Sequence, residues 1–193
     1  MPDRGSRSAP RVPFGRPASG RRTEDEGEPV AEDVDDYRAL EELKARYCRT
    51  LDLKDWKGFR RCFTDGFVSD TSRSGGMVIV GADQFVRFVS TTLAKAVTVH
   101  QVQQPELRLA SPTAAEGVWA MEDVVRFVPG LTMHGYGHYL ETYVRSEDGW
   151  RIATSTLTRL REELQTPILS VFVSDRVRRV MQFAAPRALP QST

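Results

Sequence analysis

The hydrophobic pattern of the chain changes its period near residue 97, and this change restricts the fold more than any other feature. Before it, apolar residues recur at three- and four-residue intervals, the spacing of amphipathic helices, with two short strand-like runs at 67–71 and 77–80. Helices followed by a run of antiparallel strands indicate an α+β domain. We expect a curved, mixed or antiparallel sheet that N-terminal helices wrap into a cone with an internal cavity. Alternate residues are apolar in four long predicted strands, 97–110, 114–128, 133–146 and 150–160.

The helical part of the chain predicts three helices. The first carries a continuous apolar stripe, and Lys44 and Arg46 are predicted to lie off it. Asp55 is typical of an N-cap and predicts the start of a second, short helix, and a third is predicted at 82–95. The stripe of the first helix consists of Tyr37, Leu40, Leu43, Tyr47 and Leu51.

Both ends of the chain differ in composition from the predicted domain at 34–163. Residues 1–33 mix Pro, Gly, Ser and Arg with a block of acidic residues, and such segments bury too little apolar surface to fold, so a disordered tail is predicted. Residues 164–193 are predicted to be an extension with a short helix around 177–183. We expect that extension to cover the cavity mouth or an oligomer contact, as in a homodimer or higher homo-oligomer.

The charge balance and the cysteine content exclude several classes of protein. With 27 basic and 26 acidic residues in 193, the chain has no general charge excess that would favour nucleic acid or a membrane surface. Its two cysteines predict a reduced, cytoplasmic setting rather than a disulfide scaffold. No apolar run has the length of a membrane span, and the N-terminus lacks the apolar core of a signal peptide.

Asp52 is the least expected residue in the predicted helices. It lies in the last turn of the first helix, where the macrodipole favours cations, and it stands between Leu51 and Leu53. One interpretation is that Asp52 supports the turn before the helix that Asp55 caps. The other is that this carboxylate is kept for its chemistry.

Two polar residues lie on strand faces that are otherwise apolar. Asp123 shares a predicted core face with Trp119, Met121 and Phe127, and a buried carboxylate needs a partner or a proton. A hydrogen bond to a neighbouring strand and a functional role are both open for Asp123. His100 lies inside the first long strand, where a structural role and a catalytic role are again both open.

His134 and His138 lie on one face of a later strand, together with Tyr136 and Leu140. Two histidines four residues apart on a strand are separated by roughly 13 Å, too far for one metal ion without other ligands. The sequence contains no compact ligand motif, so no metal site is predicted.

Seven short motifs follow one another along residues 34–163: Tyr47-x4-Asp52, Asp55-Trp56, Phe63-Thr64-Asp65, His100-Gln101-Val102, Gly137-His138-Tyr139, Gly149-Trp150-Arg151-Ile152 and Leu157-Thr158-Arg159. Together they resemble the SnoaL-like branch of the nuclear-transport-factor-2-like superfamily. The branch includes bile-acid 7α-dehydratase, scytalone dehydratase, hexachlorocyclohexane dehydrochlorinase and polyketide cyclases. The resemblance implies an α+β cone whose enzymes use no metal or organic cofactor.

The resemblance also implies roles for individual residues. Tyr47, Asp52 and His100 stand at the positions of the cooperating Tyr, Asp and His of the bile-acid enzyme, and Asp123 matches an acidic position on the next strand. Thr156 stands where the dehydrochlorinase pattern has an Arg, which argues against dehalogenation. The residues expected to contact a hydrophobic, oxygenated substrate of steroid, polyketide or terpenoid type are His138, Tyr136, Trp119, Met121, Phe127 and Leu140.

The functional expectation is a cofactor-independent dehydratase, isomerase or cyclase in which Asp52 orients His100 as a general base. The alternative is a non-catalytic module of the same fold that binds a small molecule or dimerises, with the polar residues as a buried hydrogen-bond network. A third possibility is the small subunit of a ring-hydroxylating oxygenase, which has a similar cone.

Overall fold

The computed structural model of the chain describes residues 31–172. The predicted helices are confirmed, and the first begins three residues earlier than expected. Most of the tail predicted at 1–33 and the short helix predicted at 177–183 lie outside the described residues. No helix within residues 31–172 is long and apolar enough to cross a membrane. The helices are α1 (Ala31–Asp52), α2 (Trp56–Arg60) and α3 (Ala82–Leu93), and a single 3₁₀ turn spans Ser72–Ser74.

The strands are β1 (Phe63–Asp70), β2 (Val78–Val80), β3 (Val97–Ser111), β4 (Ala114–Val128), β5 (Leu131–Ser146), β6 (Gly149–Gln165) and β7 (Ser170–Phe172). They form one sheet in the order β2-β1-β6-β5-β4-β3, with β7 paired to the end of β6. All neighbours are antiparallel except β1 and β6, which run parallel, so the predicted α+β fold with a curved mixed sheet is confirmed. Strand β6 continues past the predicted end at 160.

The hydrophobic core lies between the three helices and the inner face of the sheet. Its aromatic centre joins Phe59 of α2, Phe63 and Phe67 of β1 and Phe85 of α3, with ring centroids 4.4–5.9 Å apart. Aromatic rings at such separations in tilted and edge-to-face arrangements pack well and bury large apolar areas. This cluster fixes the helices over one half of the sheet and leaves the half formed by β3 and β4 to face the end of α1.

Lys44 corrects the prediction made for α1. The structure places it in the core with a relative exposure of 0%, although it was predicted to lie off the apolar stripe. Lys44 lies four residues after Leu40 and three before Tyr47, so the helical period places all three on one face. The buried face of α1 therefore contains a cation, and that cation requires a partner inside the cone.

Candidate active site

Asp52 and His100 meet where α1 ends against the start of β3. The Nδ1 atom of His100 lies 2.6 Å from Oδ1 of Asp52, and the backbone N–H of His100 donates to Oδ2 at 2.8 Å. Thr98, one pleat earlier on β3, donates its hydroxyl to Oδ1 at 2.8 Å. Both carboxylate oxygens are therefore bound, and the orientation of Asp52 relative to the imidazole is fixed.

The chain holds Asp52 in this position by a tight termination of α1. The N–H of Lys54 donates to the carbonyl of Leu51 at 3.1 Å, and the N–H of Asp55 donates to the carbonyl of Thr50 at 2.9 Å. This is the Schellman pattern of helix ends, which requires a left-handed residue after the last turn. Lys54 occupies that position with φ of 60°. Asp55 then N-caps α2 through the N–H of Gly58, as predicted.

The electrostatics of the pair keep Asp52 ionised. Partial burial raises the pKa of Asp52, but the hydrogen bonds from the His100 side chain and backbone and from Thr98 outweigh it, and the pKa is lowered overall. A carboxylate can only accept hydrogen bonds, so the Nδ1 of a neutral His100 must carry the proton. The lone pair then lies on Nε2, the nitrogen directed away from Asp52, as a general base requires.

His100 also forms part of the wall of a cavity of about 540 Å³ between α1 and β3. This volume lies within the usual range for sites that bind small molecules, about 300–1,000 Å³. Of the residues predicted to contact a ligand, Trp119 lines this cavity. The complete wall consists of Glu41, Ala45, Cys48, His100, Gln101, Val102, Gln103, Pro105 and Trp119.

Asp123 lies directly opposite His100 on the neighbouring strand. Because the N–H of His100 bonds to Asp52 and not to β4, this is a pair without mutual backbone hydrogen bonds, the kind in which facing side chains approach more closely. Asp123 accepts two hydrogen bonds from Arg159 of β6, at 2.8 and 2.6 Å, and both side chains are buried. The predicted buried position of Asp123 is confirmed, and its carboxylate forms an ion pair.

The partner of Asp123 was not predicted from the sequence, although a local signal for it exists. Arg159 crosses β5 to reach Asp123, and it passes over Gly135, where a Cβ atom would collide with both charged groups. Gly137, next on the same face, lies against the backbone of Thr158, so a side chain is excluded there too. Gly135 therefore marks the passage of a long side chain from the next strand, and Gly137 marks a close approach of the β6 backbone.

Tyr47 does not reach the cavity. It is buried among Phe59, Phe63 and Tyr139, and its hydroxyl forms a hydrogen bond with that of Tyr139. Burial is the main cause of a strong rise in the pKa of Tyr47, followed by the nearby Tyr139 and Glu141. The hydrogen-bond partner of Tyr47 is therefore Tyr139, and the role in catalysis that the resemblance implied for Tyr47 stays a prediction.

Lys44 and Glu141 form a second buried ion pair, 2.6 Å apart and with both side chains at 0% exposure. Ser155 and Tyr143 donate to the two oxygens of Glu141 at 2.9 and 2.6 Å. Trp119 in turn donates to the Tyr143 hydroxyl at 2.7 Å. The ammonium group of Lys44 also lies over the rings of Tyr47 and Tyr139, 4.2 and 3.9 Å from their centroids. No element of this network was predicted from the sequence.

The remaining predicted ligand contacts divide between the two faces of the sheet. Met121 lies on the inner face, 4% exposed, and Phe127 lies half-buried on the same side of β4. The buried residues of β5 are Gly135, Gly137, Tyr139, Glu141 and Tyr143, so Tyr136, His138 and Leu140 lie on the opposite, outer face. The prediction that these three contact a ligand inside the cone is wrong, because the side chains of a strand alternate between faces.

No cluster of three or more His, Cys, Asp or Glu side chains within residues 31–172 could hold a metal ion. Cys48, in the cavity wall, is a free cysteine whose pKa burial raises to about 11, so its thiol is neutral near pH 7.

The cone of a curved sheet and three helices, with an Asp–His pair on its wall, defines a protein of the nuclear-transport-factor-2-like class. Within that class, the family model of the SnoaL-like domain matches residues 32–156, more than half of the chain. The chain belongs to the SnoaL-like domain family, which confirms the resemblance carried by its motifs.

Three relatives with different names share this fold or sequence. The chain is 24% identical over 137 residues to the probable cyclase FGR4 of Gibberella zeae, which covers 63% of this chain and 89% of the relative. A candidate scytalone dehydratase from Novosphingobium aromaticivorans superposes with a TM-score of 0.62 at 17% identity, over 68% of this chain and 88% of that one. The type 2 hexachlorocyclohexane dehydrochlorinase LinA superposes with a TM-score of 0.62 at 12% identity, over 75% of this chain and 93% of that one. At these identities the two structures establish the fold alone.

Proposed function

We propose that this chain is a cofactor-independent lyase or isomerase that removes a proton from a carbon next to a carbonyl group. Its substrate is a hydrophobic, oxygenated small molecule of steroid, polyketide or terpenoid type, and dehydration is the first choice of reaction. The observation that supports the proposal best is the Asp52–His100 contact at 2.6 Å, with His100 in the wall of a cavity of about 540 Å³.

In the proposed reaction, Nε2 of His100 takes the proton from carbon, and the C–H electron pair moves into an enolate. Asp52 stabilises the resulting imidazolium through Nδ1–H, as the acid of a catalytic triad does. In a dehydration the enolate then expels the β-hydroxyl group, which leaves as water with the proton returned by His100. In an isomerisation the same proton returns to another carbon of the conjugated system.

The other predicted catalytic residues have indirect roles in this proposal. The Asp123–Arg159 pair lies beside His100 and contributes a fixed local field rather than a free acid. Tyr47 contributes through its hydrogen bond to Tyr139, and neither tyrosine is part of the cavity wall. The carboxamides of Gln101 and Gln103, residues of the cavity wall, are the donor type that would bind the substrate oxygen.

The test is carbon deprotonation itself. A panel of steroid and polyketide β-hydroxy ketones is incubated with the protein in D₂O, and mass spectrometry detects deuterium uptake at carbon and loss of water. His100→Gln should lower the rate by about 100- to 10,000-fold, the usual contribution of a general base. His138→Gln is the matched control, because it makes the same substitution on the outer face. Full turnover by folded His100→Gln would refute the mechanism.

The same panel separates the enzyme from a binding module. If the polar residues serve only as a buried network, ligands should bind to wild type and Asp52→Asn alike, with no exchange at carbon in either. Melting temperatures with and without each compound measure that binding.

A further inference from the structure

Lys54 is the only described residue of α1 or its C-terminal turn, from Val34 to Asp55, that has a positive φ, and its side chain is directed toward the site. Glycine is the usual residue at the left-handed position of a Schellman helix end, because any Cβ is strained there. Backbone strain of this kind is kept where the side chain has a use.

The Lys54 side chain joins the hydrogen bonds of the Asp52–His100 pair. Its Nζ donates to Oγ1 of Thr98 at 2.6 Å, and the Thr98 hydroxyl donates to Oδ1 of Asp52 at 2.8 Å, the oxygen that contacts His100. Thr98, the residue that connects the two charges, is buried, with 5% exposure. The ammonium group thus lies no more than two hydrogen bonds from the carboxylate that orients the base.

We propose that Lys54 is a positioning residue that, through Thr98, holds Asp52 and limits how strongly the carboxylate attracts a proton to His100. The inference rests on the proposed function, in which His100 must be unprotonated to act. The Asp52 carboxylate alone favours the imidazolium form of His100, and too strong an attraction would leave the base protonated at neutral pH. The positive charge of Lys54 weakens this attraction.

The other charges near His100 leave this role to Lys54. Arg159 is the cation that contacts Asp123, the residue opposite His100, and both of its terminal nitrogens donate to that carboxylate. Partial burial lowers the pKa of Lys54, and the charge of Asp52 opposes that shift and favours the ammonium form. The ionisable side chains near His100 include Glu41 and Cys48 in the cavity wall, Asp52 and Lys54 in the hydrogen-bond network, and the Asp123–Arg159 pair on the neighbouring strands with Tyr139 beside it.

Lys54→Gly separates this role from a structural one. Glycine fits the left-handed backbone at least as well as lysine, so the melting temperature should stay within a few degrees of wild type. The side chain and its charge are lost, so the His100 imidazole should titrate at a pH higher by about half a unit, the effect of one charge close to a carboxylate–imidazole pair. Nuclear magnetic resonance of the ring protons follows this titration, and the chain has three histidines, so His100→Gln identifies the signal.

Three variants complete the experiment. Lys54→Arg keeps the charge, so His100 should titrate at the wild-type pH midpoint. Lys57→Gln removes an exposed charge three residues away and should leave the midpoint of the His100 titration unchanged. In a Thr98→Val background the effect of Lys54→Gly should shrink, because the connecting hydroxyl is missing. An unchanged or lowered midpoint in Lys54→Gly would overturn the inference.

The titration is measured without substrate, so its failure is distinct from failure of the proposed function. If His100→Gln keeps full turnover, the proposed catalytic mechanism is refuted. The coupling of Lys54 to the Asp52–His100 pair is still tested by the magnetic-resonance titration. With a substrate in hand, the acidic limb of the kcat/KM profile should move upward by the same half unit in Lys54→Gly. KM should stay the same, because Lys54 is not part of the cavity wall.

Discussion

Helix α1 contributes to two acid–base pairs in the cone, one fully buried and one partly buried, which differ in how completely they are satisfied. Lys44 and Glu141 have no exposed surface, and Tyr143 and Ser155 occupy the carboxylate oxygens. Asp52 and His100 are equally close, but Asp52 is only partly buried, one nitrogen of the imidazole is left for a ligand, and His100 forms part of a cavity wall. The comparison indicates that burial alone does not mark a site. The Lys44–Glu141 pair is enclosed on all sides and contributes to the fold. The Asp52–His100 pair keeps one imidazole nitrogen without a partner next to a cavity, so it is suited to acid–base chemistry.

Breaking the enclosed pair should have the largest effect on stability. Lys44→Met leaves the Glu141 charge buried without its cation, which typically costs about 3–5 kcal/mol in the free energy of unfolding. Chemical denaturation measures this loss. Arg46→Met, at an exposed position of the same helix, is the control and should change stability by less than about 0.5 kcal/mol.

A second substitution tests whether the loss in Lys44→Met is electrostatic. Adding Glu141→Gln removes the unpaired charge, so the double variant should recover a large part of the stability. A Lys44→Met protein within about 1 kcal/mol of wild type would contradict the account of the enclosed pair.

A substitution in the Asp52–His100 pair should affect turnover more than stability. In Asp52→Asn the amide can donate to Nδ1 of His100, which moves the ring proton to Nε2 and removes the lone pair that accepts the substrate proton. We expect the rate of deuterium uptake at carbon to fall by about 100-fold or more. The free energy of unfolding should fall by less in Asp52→Asn than in Lys44→Met. A larger loss of stability in Asp52→Asn would contradict the proposed difference between the two pairs.

The smallest effect is the pH dependence that Asp52 gives to stability. The pKa of Asp52 is lower in the folded protein than its ordinary value of 3.8, so the ionised carboxylate stabilises the fold above that pH. This contribution is lost as the pH falls through the lowered pKa of the folded state. It should amount to less than about 1 kcal/mol, because Asp52 is only partly buried.

Unfolding free energies of wild type and Asp52→Asn between pH 3 and pH 7 measure this contribution. The stability advantage of wild type should shrink as the pH falls from about 5 to below about 4. An advantage that grew over this acid range would mean that the Asp52 pKa is raised rather than lowered.

The elements of the fold follow closely from hydrophobic period. β4 has its predicted bounds, 114–128, because strict alternation continues from one turn to the next. Asp52 and His100 were identifiable because each is a polar residue where the local pattern expects none. A site built from such exceptions can be predicted from sequence when each exception lies within one regular element.

The wrong predictions arise where the hydrophobic pattern does not decide which face of a strand or helix is buried. On β5 the inner face carries Gly135, Gly137 and Glu141, so it looks less apolar than the outer face with Leu140, and the wrong face was assigned to the ligand. Lys44 has the correct helical spacing for burial, but its charge argued against it. Both mistakes have one cause, since Glu141 and Lys44 are acceptable inside only because they meet, and a contact between residues 97 apart is not encoded in local period.

The tautomer of His100 tests the central claim most directly, because it needs neither a substrate nor an assay. Nitrogen-15 spectra of the imidazole, recorded above its titration, report which ring nitrogen carries the proton. We predict a proton on Nδ1 and a lone pair on Nε2 in wild type, with the Nε2 signal moving when a cavity ligand binds. A ring protonated on Nε2 would contradict the account, because His100 would then present no base to the cavity.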